Sequence, residues 1–394
     1  VKVDELKQIT WSFIDYHGQN DNQRLFSTKT HLEYLDIFSG NKIIRKNIKK
    51  KFREIKQLES TKGFVIYDLP NAGTYVGPTR LGAKLIPGNA EMLVRHQTYV
   101  FGLTEQQKSG ATIGLKVDAS DAEGAVVALA EELTDEFESQ RLLTNPGLRL
   151  SEALLAPVLR HDKRNPIAKA ERDGVTFEDE LVALGAVTCA SRFVKPNGTW
   201  KVAIEGFDQS GLAIAREVEN HGGKVHRIST AKGCVSGDFD SSTLADTWMD
   251  SGADCVEKLG PVGKPWEIWN SDVDAVFVGS KPGAMSGDGA TSTNDTPIIA
   301  TSAAAISSKA LAILRKNKVP VAADFLSRVG PTLAWWASEE TSPDVLRSST
   351  TETVIGLLEE TVDHDDGPFM AACYKAEAFI ESWQEKRPFG RPLG

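Results

Sequence analysis

Residues 201–211, KVAIEGFDQSG, place an apolar strand pattern directly before a turn that begins and ends with glycine. Residues 211–221 then carry apolar side chains at helical spacing, and residues 224–229, KVHRIS, have the pattern of a second strand. Two more strand patterns follow at residues 275–279 and 298–300. Because strands that alternate with helices of this length pair in parallel, this region predicts a Rossmann-like, doubly wound parallel sheet in an α/β protein.

The composition changes on both sides of this predicted sheet. Residues 63–68, GFVIYD, and 114–118, GLKVD, predict strands of a second α/β unit, and residues 121–143 have the spacing of one long amphipathic helix. The polar residues 160–174 predict the connection between the two units. We therefore predict four segments: a helical N-terminal extension over residues 1–60, a substrate-type α/β domain over 61–165, a Rossmann-like domain over 175–340 and a helical C-terminal segment over 341–394.

The overall composition is typical of a globular protein. Of the 394 residues, 41% are hydrophobic and 25% are charged, and no run approaches the ~20 apolar residues that cross a bilayer. The formal net charge of −9 disfavours nucleic acid as a partner, because phosphate binding needs a surplus of Lys and Arg. The four cysteines form no CxxC pair, so we predict no metal site. We expect an intracellular protein of the cytoplasm or the mitochondrial matrix, with no transmembrane segment.

One basic stretch departs from this acidic background. Residues 42–53, KIIRKNIKKKFR, carry isoleucines and a phenylalanine at helical spacing among cationic side chains. This pattern predicts a solvated basic helix face, or a contact for an acidic partner or an anionic membrane surface. The sequence leaves these alternatives open.

Three short motifs in the first predicted α/β domain carry the information about function. They are GPTR at residues 77–80, QTYV at 97–100 and SGATIG at 109–114. These motifs, and the order of elements from residue 63 to residue 336, resemble the glutamate, leucine, phenylalanine and valine dehydrogenase family. The corresponding family motifs are the GGxR turn, MT(Y/W)K and GGxKGG. The resemblance implies a two-domain amino-acid dehydrogenase fold.

The two lysines of those family motifs are absent from this chain. In the family, the lysine that ends the second motif grips the α-carboxylate of the substrate, and the lysine of the third polarises the carbonyl carbon and works with water as acid and base. Val100 and Thr112 stand at these positions and can do neither. Lys108 and Lys116 lie nearby but out of register, and on a strand the wrong parity points a side chain to the opposite face. The resemblance therefore implies that the amino-acid chemistry is lost.

A carboxylate is kept near the position of the family's catalytic aspartate. That aspartate follows a PAxD turn, and counting along the chain places it near Glu152 in the segment RLSEA. Glu152 either acts as a base or lies on the polar face of a helix that runs through residue 159. The sequence leaves both interpretations open.

The glycine-bounded turn resembles the family's GFGNVG motif. Gly206 and Gly211 are kept, whereas Asp208 replaces the middle glycine. A dinucleotide needs bare backbone at this point, because its pyrophosphate lies against the helix N-terminus. Asp208 adds bulk and negative charge there, so we expect these cofactor-binding positions to be vestigial and the protein to take no cofactor.

The adenosine end of the same site is also changed. Thr230 stands where an acidic residue would hold the ribose hydroxyls. With Arg227 and Lys232 close by, an NADP site remains the alternative. The family's NAGG loop, which faces cofactor and substrate, corresponds to residues 328–331.

These losses lead to two hypotheses. The first is a catalytically degenerate homologue of the amino-acid dehydrogenases, a pseudoenzyme that acts as a structural or interaction subunit of a larger assembly with other proteins. The alternative is an NAD(P)-dependent oxidoreductase for a substrate without an α-carboxylate. The family commonly forms homo-oligomers through its N-terminal domain, but residues 1–60 differ from the usual segment, so self-assembly is left open. Some large apolar side chains at predicted element ends are expected in the core or on a partner surface: Trp266, Trp269, Trp335 and Trp336.

Overall fold

The computed structural model describes residues 54–58, 62–194, 199–270, 272–385 and 390–393. The basic stretch at residues 42–53, and most of the predicted N-terminal extension, lie outside these ranges. Residues 54–58, at the end of that extension, form a strand rather than a helix. In the described part of the chain, no helix combines the length and apolar composition needed to span a bilayer.

The first part of the described chain contains five strands and four helices that make one α/β unit. Its elements are, in chain order, β1 Glu54–Leu58, β2 Gly63–Tyr67, β3 Tyr75–Leu81, α1 Pro87–Leu103, β4 Ser109–Leu115, α2 Ala122–Glu132, α3 Thr134–Glu138, β5 Leu142–Pro146 and α4 Glu152–Leu159. The strands form one sheet in the order β1-β2-β4-β3-β5. The β1–β2 and β2–β4 pairs are antiparallel, whereas β3 is parallel to both β4 and β5.

Helices cover both faces of this first sheet. Helix α1 packs Ala90 and Val94 against Phe64 and Ile66 of β2. Helices α2 and α4 cover the opposite face, where Ile113 of β4 lies in the core. Strand β4 is buried at every position, which explains its uninterrupted run of small and apolar residues.

A short hairpin leads into the second α/β unit, which contains the predicted parallel sheet. Its elements are β6 Glu171–Arg172, β7 Val175–Thr176, α5 Phe177–Phe193, β8 Lys201–Glu205, α6 Gln209–Asn220, β9 Lys224–Thr230, β10 Gly233–Phe239, α7 Ser241–Ser251, α8 Cys255–Leu259, β11 Ala275–Val278, α9 Gly287–Ser292, β12 Ile298–Ala300, α10 Ser308–Lys316, β13 Val321–Ala322, α11 Asp324–Ser327, α12 Val329–Trp335, α13 Pro343–Thr361 and α14 Pro368–Glu381. Short 3-10 turns lie at Ala119–Asp121, Pro166–Lys169, Gly252–Asp254 and Pro265–Asn270.

The sheet order is β10-β9-β8-β11-β12-β13, in which only the β10–β9 pair is antiparallel. Strand β8 has its chain successor β9 on one side and β11 on the other, so the direction of winding reverses between β8 and β11. This confirms the predicted α/β class and the doubly wound sheet. The carboxyl ends of β8 and β11 define the switch point at which such folds bind ligands.

The two sheets are joined through a continuous apolar interior. One cluster combines Val76 of β3, Phe101 of α1 and Leu143 of β5 with side chains of the second unit, including Leu181 of α5 and Trp335 of α12. The contacts between Cα atoms make residues 54–394 one compact unit. Helix α1 therefore packs against side chains of both α/β units.

Some sequence predictions of individual elements were wrong. Residues 77–80, which resemble the GGxR turn, lie inside strand β3. The long helix predicted over residues 121–143 ends at Glu132 and is followed by α3 and β5, because the chain turns through a positive φ of 60° at Gln140. The antiparallel edge strand β10 was not predicted, because its polar, glycine-containing sequence lacks a buried-strand pattern.

A substitution in β3 tests how closely the parallel strands of the first sheet pack. A Cβ atom at Gly77 would lie 1.6 Å from the carbonyl oxygen of Ala111 in β4. We expect Gly77→Ala to lower the free energy of unfolding by about 3 kcal/mol in urea titrations, because backbone must move apart to accept the methyl group. Gly124→Ala in α2 is the control, since its Cβ would meet nothing within 4 Å and should stabilise the helix by about 0.5 kcal/mol. Equal effects of the two variants would contradict this packing.

Candidate functional site

A buried histidine–aspartate pair connects α1 to the second sheet. The Nδ1 atom of His96 lies 2.5 Å from Oδ1 of Asp324, and the two residues are 2% and 1% exposed. Asp324 begins α11 directly after β13, at the carboxyl edge of the parallel sheet. The amide nitrogen of Ala304, in the loop after β12, also lies 3.4 Å from His96 Nδ1. The pair therefore lies where α1 meets the edge at which such sheets bind ligands.

The outward atoms of this pair are left without hydrogen bonds. Among the described residues, Nε2 of His96 and Oδ2 of Asp324 have no hydrogen-bond partner. The nearest cation to the carboxylate is Arg328, whose Nη1 lies 3.6 Å from Oδ2. A carboxylate that accepts from Nδ1 fixes the tautomer in which Nε2 carries a lone pair, the arrangement that general bases use. The pair thus has the chemistry of a base, although it is closed off from solvent.

One helical turn further along α1, the substrate-binding lysine of the resembled family is replaced by a core residue. Val100 is completely buried, and it packs in the same cluster as Tyr99, Leu103 and Phe325. A lysine here would place an ammonium among apolar side chains, at a large desolvation cost. Position 100 is therefore part of the packing between the two sheets.

Thr112 is committed to the backbone of the first sheet. Its hydroxyl donates to the carbonyl oxygen of Pro78 at 2.9 Å, and the residue is 1% exposed. The two nearby lysines lie beyond the ends of β4. Lys108 donates to Gln106 and lies 4.1 Å from the ring centroid of Trp336, and Lys116 lies 5.5 Å from that of Phe64. The recorded contacts of these two lysines are therefore with Gln106, Trp336 and Phe64.

Glu152 lies away from these residues, on the surface. It is the first residue of α4, its side chain is 58% exposed, and its nearest cation is Lys169 at 4.0 Å. The exposed side chain of Glu152 therefore lies on the helix that the sequence predicted through residue 159.

The turn after β8 keeps its backbone shape but carries its own anion. Gly206 has a φ of 80°, which only glycine adopts without strain. Asp208 caps α6, and its Oδ1 accepts from the amide of Gly211 at 3.1 Å. Next to it, the hydroxyl of Ser210 donates to Asp179 at 2.5 Å. Carboxylates therefore occupy donors at the N-terminus of α6, where a pyrophosphate would bind.

Thr230, Arg227 and Lys232, the residues behind the alternative of an NADP site, each contact other groups of the chain. The hydroxyl of Thr230 donates to the carbonyl of Ala253 at 2.8 Å. Arg227 donates to the carbonyl of Glu267 at 2.7 Å, and exposed Lys232 pairs with Asp254 at 2.8 Å. These contacts hold the rim of the second sheet together, and they do not form a cationic pocket around Thr230.

Sequence reasoning missed both residues of the buried pair, His96 and Asp324. A single histidine in a helix and an aspartate after a short strand have no local signature, and the pair exists only because the fold joins positions 228 residues apart. The NAGG comparison pointed to residues 328–331, which begin helix α12 or lie next to it. Asp324 lies four positions before these residues, at the start of α11.

Solved structures show which fold this is. A hetero-hexameric glutamate dehydrogenase from Thermus thermophilus, in its Leu-bound form, matches with a TM-score of 0.69 and 19% identity over 81% of this chain and 84% of that chain. L-tryptophan dehydrogenase from Nostoc punctiforme matches with a TM-score of 0.59 and 14% identity over 86% and 99% of the two chains. Glutamate dehydrogenase from Peptoniphilus asaccharolyticus matches with a TM-score of 0.60 and 14% identity over 81% and 84%.

No family model matches the sequence, and no curated protein matches it either. The chain has the two-domain fold of the amino-acid dehydrogenases, and the resemblance drawn from the sequence motifs is confirmed at the level of the fold.

The prediction that the protein takes no cofactor is wrong. Its structural neighbours are NAD(P)-dependent dehydrogenases, and the sheet that holds the dinucleotide in such folds is complete here. A bound dinucleotide would supply hydride-transfer chemistry at the switch point. In the observed arrangement, however, the turn does not fit a pyrophosphate, because Asp208 takes the amide of Gly211. Glycines suited to a dinucleotide and a competing carboxylate thus occur in one turn.

The buried pair also makes a prediction about stability. Asp324→Ala leaves His96 buried without its acceptor, so we expect a loss of about 3 kcal/mol in the free energy of unfolding. The double variant His96→Ala/Asp324→Ala should lose less than the sum of the two single variants, as measured by urea unfolding. Glu152→Ala, at an exposed position, should change the stability by less than about 0.5 kcal/mol. Additive losses for His96 and Asp324 would show that the two side chains do not interact.

Proposed function

We propose that this chain is a catalytically degenerate homologue of the amino-acid dehydrogenases, which keeps a dinucleotide-type domain and acts as a structural or interaction subunit of a larger assembly. The observation that carries the proposal is the state of positions 100 and 112. Val100 lies in the common core, and Thr112 is hydrogen-bonded to Pro78. These positions belong to the stable interior, and neither offers a cation to a substrate.

The energetics of the missing contacts support this proposal. An ammonium that faces a carboxylate in a closed cleft stabilises the bound substrate by a few kcal/mol, and each ~1.4 kcal/mol is a factor of ten in rate. Loss of both lysines therefore removes several orders of magnitude.

The surface supports a role in an assembly. Trp269 and Trp335 belong to the core, whereas Trp266 is 64% exposed and Trp336 is 38% exposed. Val262, four residues before Trp266, is 42% exposed. Exposed tryptophans are common anchors of protein interfaces. The Thermus neighbour is described as a hetero-hexamer, so this fold occurs in assemblies of unlike subunits.

An activity assay tests the catalytic part of the proposal. We expect no reduction of NAD or NADP by the purified protein with glutamate, leucine or tryptophan, because no cation receives the α-carboxylate. Absorbance of the reduced nicotinamide is the measurement. Lys108→Ala and Lys116→Ala are the matched variants. Reduction that disappears in either variant would show that a displaced lysine performs the chemistry, and the proposal would be wrong.

A native purification tests the assembly part. We expect the chain from its own source to elute far above its monomer mass of 42.8 kDa, together with other proteins in fixed ratio. Mass spectrometry of the eluted complex identifies them. Trp266→Ala should release part of the partners, whereas Met249→Ala, at another exposed apolar residue, is the control. Elution as a monomer alone would contradict the subunit role.

A second candidate function rests on the buried pair. His96 and Asp324 have the geometry of an acid–base pair beside the sheet edge. An oxidoreductase for a substrate without an α-carboxylate would use such a base, and Val100 would suit its apolar body. The near-complete burial of both residues favours the subunit role, because a substrate would have to separate α1 from α11 to reach Nε2.

A further inference from the structure

Side-chain carboxylates of the chain occupy the donor groups at the switch point of the second sheet. Glu205, at the end of β8, accepts from the amides of Gly279 and Ser280 at 3.2 and 3.1 Å and from the hydroxyl of Ser280 at 2.5 Å. Asp208 accepts from the amide of Gly211 at 3.1 Å. Amides and hydroxyls at this place are the groups that hold the phosphates of a dinucleotide in doubly wound folds.

We propose that Asp208 is an internal mimic of the pyrophosphate and gates the binding of a dinucleotide at this turn. Its carboxylate holds the N-terminus of α6 in the way a phosphate oxygen would, so a dinucleotide must displace it. This inference rests on the proposed function, in which the dinucleotide-type domain is kept. To that function, the inference adds Asp208 as the residue that controls dinucleotide binding by the domain.

The shape of the turn supports this gate. The φ of 80° at Gly206 keeps the backbone in the form that a dinucleotide-binding turn requires. A Cβ atom at Gly206 would lie 2.5 Å from the backbone of Ser280, so the turn and the loop after β11 are in close contact. Glu205 ties the same loop to β8. Gly206 thus has the backbone conformation of a dinucleotide-binding turn, while the carboxylates of Asp208 and Glu205 occupy the donor groups around it.

The charges around Asp208 make the gate sensitive to pH. Although the residue as a whole is exposed, its carboxylate faces the backbone of the turn, and this loss of hydration raises its pKa. The like charges of Asp179 and Glu205, which face it from α5 and β8, raise the pKa further. As the pH falls toward that pKa, the neutral form of Asp208 increases, and its repulsion of a phosphate decreases. NAD affinity should therefore rise on acidification.

Calorimetric titration of the full chain with NAD tests the gate. We expect Asp208→Gly to bind NAD at least tenfold more tightly than the wild type. Asp208→Asn keeps a good helix cap and removes the charge, so it should show part of the gain and covers a failure of the glycine variant to fold. Asp240→Gly is the control, because Asp240 caps α7 through the amide of Thr243 at 2.7 Å in the same manner. It should leave the affinity unchanged.

The outcomes separate the gate from the proposed function. Equal NAD affinity of the wild type and both Asp208 variants overturns the gate, while dinucleotide binding by the domain stands. Absence of binding in all of them at millimolar NAD overturns both the gate and the retained domain. A wild-type affinity that rises as the pH is lowered, with no such rise in Asp208→Asn, supports the gate. The same rise in both proteins assigns the effect to other groups and overturns the role of Asp208.

Discussion

Helix α1 is held between two buried pairs of polar side chains, and the arrangement of both sheets depends on it. On one side, Arg95 donates to Asp68, which directly follows β2, at 2.7 Å. On the other, the adjacent His96 contacts Asp324, two residues after the end of β13. Buried charges are tolerated only with well-placed partners, so these pairs fix the position of the helix relative to both sheet edges. The same helix contributes Val94 to the first core and Val100 to the second. It is a shared structural element, rather than one wall of an open cleft.

This position of α1 explains the environment of both Val100 and Thr112. A lysine on α1 would need water or an anion beside it, and the packing around Val100 provides neither. Val76 of β3 and Phe101 of α1 extend the apolar contact to Trp335. Polar groups near this interior need hydrogen-bond partners within the chain, as Thr112 has in the carbonyl oxygen of Pro78. Val100 and Thr112 are thus both held by contacts within the interior that joins the two sheets.

The sequence was sufficient for the parallel strands of the second sheet because they carry strong local signals. Residues 201–205 and 298–300 were predicted with the observed bounds, since buried parallel strands are continuous apolar runs. Strand β3 was missed because Gly77 and Pro78 are turn residues by local preference, and only contact with β4 explains them. The positions of Val100, Thr112 and Asp208 could be read from motif spacing. The His96–Asp324 pair could not, because neither residue has a neighbour in sequence that shows its role.

The positions that the motif resemblance gives to the substrate, and those that it gives to the cofactor, are occupied in chemically different ways. This difference matters for function. The substrate half is filled by apolar side chains from several elements, so no single substitution would reopen it without creating a buried cavity or a buried charge. The nucleotide half is closed by carboxylates that satisfy the same donors a phosphate would use, while Gly206 keeps the backbone in its ligand-ready conformation. A hydrogen-bonded side chain at the surface can be exchanged for a ligand at little structural cost, whereas a packed core residue cannot. The two sets of positions therefore differ physically: Val100 is fixed by core packing, whereas Asp208 is held by a hydrogen bond to the amide of Gly211.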